Sequence, residues 1–91
     1  MKSVKGYVSD YVASLDPISV YKCLPIIKKI LFRLLGLIEA EKVLVITPSG
    51  TKGVCEIYLA KCSRCGEIYV DYPHGYSKYI ECPKCRTQIN I

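Results

Sequence analysis

Histidine is nearly missing from this sequence: His74 stands alone among 91 residues, beside no tryptophan, one phenylalanine and one methionine. A Ser-His-Asp set needs a histidine held between partners, whereas His74 falls next to Gly75 in a stretch that reads as a loop. Glycine-rich phosphate loops are missing too, so the expectation is a protein that is not an enzyme. Long apolar runs are absent. The greasiest stretch, Leu24 to Ile38, is broken by Lys28, Lys29 and Arg33, and a membrane-spanning helix needs about 20 apolar residues. Met1 to Lys5 leads into Gly6 and Asp10 without an apolar signal core, which points to a soluble, cytoplasmic chain with no membrane partner. Acids are scarce: 8 Asp+Glu against 13 Lys+Arg leave a net charge of +5, compatible with a polyanionic partner. The length excludes doubly wound and barrel enzymes, while 51% hydrophobic residues exclude a disordered tail. A chain this short buries only roughly 60% of its unfolded surface, and it normally needs a staple.

Cysteine supplies one. Four of the 6 cysteines crowd into Cys62-Ser63-Arg64-Cys65 and Cys82-Pro83-Lys84-Cys85, two C-x-x-C pairs separated by sixteen residues. Two residues between cysteines make a tight turn whose thiolates converge, and two such turns complete a tetrahedron at about 2.3 Å per Zn–S bond. Four closed ligands mean one structural Zn2+ with no open position for water. Iron suits the same thiolates. Gly66 fits a left-handed position that aims amides at the sulfurs, while Arg86 takes the corresponding place in the second pair. Between the pairs, Glu67–Asp71 and Tyr76–Glu81 read as strands around a Tyr72-Pro73-His74-Gly75 turn, with a final strand over Thr87–Ile91. Cys23 and Cys55 read as buried small hydrophobes.

Residues 1–60 have a different pattern. Val4, Tyr7, Val8, Tyr11, Val12 and Leu15 make one helical stripe. Tyr7 and Tyr11 of that stripe are poorly covered by a three-helix core, which suggests a homodimer seam. Asp16-Pro17 starts a second helix, with Asp16 as its cap, and Pro25 interrupts it. From Pro25 the residues Ile26, Ile27, Ile30, Leu31, Leu34 and Leu35 form the expected buried face. Lys28, Lys29, Phe32 and Arg33 fall on the opposite arc, and Gly36 stops the helix. One kinked helix over 17–35 fits the pattern nearly as well as two. Lys42–Thr47 and Val54–Ala60 then read as a hairpin around Pro48–Gly53. Lys22, Lys28, Lys29 and Arg33 give +4 between residues 17 and 38, where no acid stands.

Three helices, the glycine stop in Leu34-Leu35-Gly36-Leu37-Ile38-Glu39 and a hairpin tipped by Gly50-Thr51-Lys52-Gly53 resemble the winged helix-turn-helix domains of small archaeal and bacterial regulators. Residues 61–91, with their two cysteine pairs, resemble a zinc ribbon. The resemblance implies an α+β fold, a winged helix over 1–60 followed by a zinc-ribbon hairpin. It implies a transcription regulator that docks on duplex DNA through Lys28, Lys29 and Arg33, with Lys22 and the wing's Lys52 on phosphates. The alternative is an adaptor that binds a protein of the transcription or replication machinery through the ribbon.

Overall fold

A computed structural model describes residues 2–74 and 76–91; Gly75, part of the expected turn, lies outside the described residues. The chain is α+β, as its pattern implies. Its elements run β1 (Lys2–Lys5), α1 (Val8–Ala13), α2 (Pro17–Lys22), α3 (Ile26–Leu35), β2 (Leu37–Ile46), β3 (Lys52–Lys61), β4 (Ile68–Asp71), β5 (Tyr79–Glu81) and β6 (Gln88–Asn90). The first four strands form one sheet in the order β1-β2-β3-β4, and β5 pairs with β6. Strand β1 lies parallel to β2, so the three helices are the crossover between neighbouring parallel strands. The β2–β3 pair is antiparallel, with a register shift between Glu39 and Glu41 that bends β2.

The expected first helix starts too early. Val4 lies in β1 opposite Val45 and is buried with Val12, Val43 and Ile57; Gly6, at φ 106°, then turns the chain into α1. Four residues with one apolar side chain carry no period of their own, and only the distant partner β2 makes them a strand. The next two helices start and stop where local chemistry dictates. Asp16 caps α2, its carboxylate accepting from the Ile18 amide at 3.4 Å and from the Ser19 hydroxyl at 3.0 Å. Cys23 to Pro25 separates α2 from α3, which settles two helices over one, and Gly36 ends α3 in the left-handed conformation.

Helix α3, however, is turned over relative to its hydrophobic pattern. Phe32 is buried against Leu24 and Leu59, its ring 5.7 Å from that of Tyr21. The side chains expected to be buried, Ile26, Ile27, Ile30, Leu31, Leu34 and Leu35, are instead 40–76% exposed. The aromatic ring fills the slot that Val20, Tyr21, Leu24 and the sheet leave. Lys28 and Lys29 reach the body with their polar ends: the Lys28 ammonium donates to the Glu39 carbonyl at 3.2 Å, and Lys29 stands 5.8 Å from the Tyr21 ring centroid.

Strand β3 organises the rest, because successive side chains point to opposite faces. Ile57 and Leu59 are fully buried among residues of the helices, whereas Ala60 and its neighbour Tyr58 pack with Tyr69, Ile80 and two cysteines. The stretch expected as a 67–71/76–81 hairpin divides its loyalties. Strand β4 pairs with β3 along Tyr58↔Asp71 to Lys61↔Ile68, and β5 pairs with β6; between the two arms the described residues make an isolated His74↔Tyr79 bridge. The sheet therefore continues past residue 60 into the cysteine-bearing segment.

Candidate metal centre

Two turns of the same construction carry the four clustered cysteines. In the first, the Gly66 amide donates to the Cys62 carbonyl at 2.9 Å and the Cys62 amide to the Glu67 carbonyl at 2.9 Å. In the second, Arg86 donates to Cys82 at 2.9 Å and Cys82 to Thr87 at 3.0 Å. Both turns need a left-handed residue after the second cysteine, met by Gly66 at φ 73° and by Arg86 at φ 59°. Arginine accepts this conformation at a cost of about 1 kcal/mol or more, so the departure seen in the sequence is one of strain, not of shape.

The four Sγ atoms of Cys62, Cys65, Cys82 and Cys85 all lie within 4.8 Å of one another. Cys62 and Cys85 are 3.1 Å apart and Cys65 and Cys82 3.7 Å. Tetrahedral thiolates at about 2.3 Å from a zinc ion stand about 3.8 Å from each other, so these spacings suit one ion. All six cysteines are free thiols. Backbone amides of Cys65 and Arg64, with the Cys85 side chain, pull the Cys62 thiol down to about 6, against the opposing effect of burial. The Thr87 hydroxyl and amide likewise lower that of Cys85. Cys65 is pushed up to about 11: the Glu67 amide pulls it down, but hydrogen bonding to Cys62, burial and the charge on its neighbours outweigh that donor. Four sulfurs so close share protons unevenly, and a cation relieves the conflict.

Surroundings missed by the sequence reading complete the site. Tyr69, buried and packed with Cys62 and Cys82, has a hydroxyl with no hydrogen-bond partner. Burial, then the charges of Cys82 and Cys62, push its ionisation strongly upward. Glu67 after the first turn and Lys84 inside the second form an ion pair that ties the two together. Asp71 accepts from the Glu81 amide at 2.9 Å and meets His74 Nε2 at 3.0 Å, bracing the approach to the second turn. Neither had a cue in the sequence: Tyr69 reaches the cysteines through the pairing of β4 with β3, and opposite charges seventeen residues apart are common. The donor set, four thiols close enough to share one ion, fits a structural metal ion.

The basic positions are not gathered in the same way. Lys22, Arg33 and Lys52 are exposed, at the end of α2, on α3 and at the start of β3, while Lys28 and Lys29 are half-buried on the arc facing the body. The expectation that Lys28 and Lys29 project from the outward side of α3 is corrected by the burial of Phe32 between them and Arg33. Cys23, expected inside, is exposed at the end of α2, and Cys55 is half-buried. No helix among the described residues is long and apolar enough to cross a membrane. Compared with protein-family models, curated proteins and solved structures, the chain matches none.

Proposed function

We propose that this chain is a zinc-stapled docking module, an adaptor that binds another protein through the outward face of α3 and carries out no catalysis. One observation carries the reading: six aliphatic side chains stand exposed on a single helix face. Contiguous apolar patches of more than a few hundred Å² are rare on soluble monomers unless they bind something. Zinc bound by Cys62, Cys65, Cys82 and Cys85 would supply structural cross-linking only, since four thiolates fill its coordination sphere. The zinc-ribbon likeness is part of this proposal and rests on the two matching turns; adaptors of transcription or replication machinery are the class it suggests.

A second reading, duplex DNA binding by a winged helix, is supported by the order of three helices and a hairpin and by the exposed Lys22, Arg33 and Lys52. Against it weighs the aliphatic outward face of α3, which offers bases and phosphates few hydrogen-bond donors. Fluorescence anisotropy with random duplex DNA across a salt series separates the two. The adaptor reading expects weak binding that Lys22→Glu/Arg33→Glu barely changes. Tight binding that falls steeply with salt and collapses in that variant would replace it with the DNA reading.

A further inference from the structure

The outward face of α3 is symmetric in the placement of its aliphatic residues. Its six aliphatic positions, Ile26, Ile27, Ile30, Leu31, Leu34 and Leu35, are spaced alike in either direction about the midpoint between Ile30 and Leu31, each isoleucine mirrored by a leucine and Lys28 by Arg33. At 100° per residue the six occupy one half of the helix circumference, without a polar side chain among them. We propose that this face is occupied by a second copy of the same chain, packed as an antiparallel α3–α3 pair about a twofold axis. The proposal rests on the docking reading above and names the partner.

A twofold axis demands a patch complementary to itself, in which residue i meets j and j meets i. Set antiparallel, the pair places Ile27 opposite Leu34 of the second copy, Ile26 opposite Leu35, and Ile30 opposite Leu31 at the axis. Aliphatic side meets aliphatic side along the whole ten-residue helix. The area also suffices. With about 200 Å² for a fully exposed isoleucine or leucine, the six residues offer roughly 770 Å² per copy, close to the roughly 800 Å² per partner of a standard interface. The charges argue against the other occupants. An anionic bilayer or an acidic helix would draw on outward cations at the rim of the face, yet Lys28 is held by the Glu39 carbonyl and Lys29 by the Tyr21 ring. That leaves Arg33 as the exposed cation of α3.

Sedimentation velocity of the zinc-loaded full chain from about 5 to 200 µM tests the proposal, beside Ile27→Glu/Leu34→Glu and, separately, Leu31→Asp. The wild type is expected to reach about twice its 10.2 kDa mass, and both variants to stay at 10.2 kDa with unchanged circular dichroism and metal content. Because the two copies bring like charges to the rim, added salt should tighten the dimer. A wild type that stays monomeric at 200 µM overturns the proposal, as does a dimer that survives in both variants. An anilinonaphthalene sulfonate titration then tells the two levels apart. A monomer that binds the dye at α3, losing it in the double variant, keeps the docking reading and rejects the second copy. A monomer that binds no dye overturns both. Binding of that monomer to phosphatidylglycerol vesicles would assign the face to a membrane surface instead.

Discussion

Replacing Phe32 with alanine should destabilise the protein far more than replacing Leu34, its near neighbour on α3. Phe32 is 6% exposed and Leu34 76%. A phenylalanine side chain buries roughly 200 Å², worth up to about 5 kcal/mol at 25 cal/mol per Å². Measured Phe→Ala losses in cores run at about 3–5 kcal/mol. Because Phe32 sits beneath one short helix that can partly collapse into the space, the lower end applies, about 3 kcal/mol. A 91-residue chain has about 5–14 kcal/mol in all, so this is a large fraction. Leu34→Ala should cost no more than about 0.5 kcal/mol as a surface change. Urea unfolding of zinc-loaded protein, followed by circular dichroism at about 1 µM to keep copies apart, reads both values. With a slope of about 1–1.5 kcal/mol/M, the Phe32→Ala midpoint should fall by about 2–3 M. A Leu34→Ala loss equal to or greater than that of Phe32→Ala would mean that α3 packs by its aliphatic face, and the docking surface would vanish with it.

Three other expectations follow from the cysteine turns and the tyrosines. Metal analysis should find one zinc per chain, and Cys62→Ser or Cys85→Ser should lose it together with the ordered amide signals of residues 61–91; full order without metal would refute the staple. Arg86→Gly should raise stability by about 0.5–1 kcal/mol by relieving the left-handed strain, while Gly66→Ala should lower it by about 1 kcal/mol; equal effects in thermal melts would show that the two turns differ. Tyr11 and Tyr58 are both pushed up to about 12, by burial first and then by their hydrogen bonds to Glu41 and Glu56. For an acid with a raised folded-state value the stabilisation is complete below pH 10 and drains away as pH rises from there through 12. Alkaline unfolding should therefore be shallower in a Tyr11→Phe/Tyr58→Phe chain, and an unchanged profile would assign the transition to other groups.

What the sequence made legible was local. The two C-x-x-C turns, the Asp16 cap, the Pro25 break and the Gly36 stop each depend on a few adjacent residues, and each lies where expected. Helix α3 was found within one residue of its bounds and yet faced the wrong way. Periodicity fixes which residues share a face, but only the partner surface decides whether that face is covered. One phenylalanine matched to a slot outweighed six aliphatics with no surface to meet. The same limit hid β1, whose single buried side chain acquires meaning only beside β2. It also hid the pairing of β4, because a strand reads alike whether its neighbour is the next segment or the previous one.

Strand β3 serves the helices with one set of side chains and the cysteine turns with the other. This makes the chain resistant to being cut into working pieces. A fragment ending at residue 60 would keep Ile57 and Leu59 beneath the helices, but it would bare Tyr58 and Ala60 and strip β4 from the edge of the sheet. The raw edge would carry unpaired amides and carbonyls beside fresh apolar surface, a template for stacking with other fragments. Anyone dissecting this protein should expect such a piece to be recovered as aggregate, and should choose point substitutions over truncation.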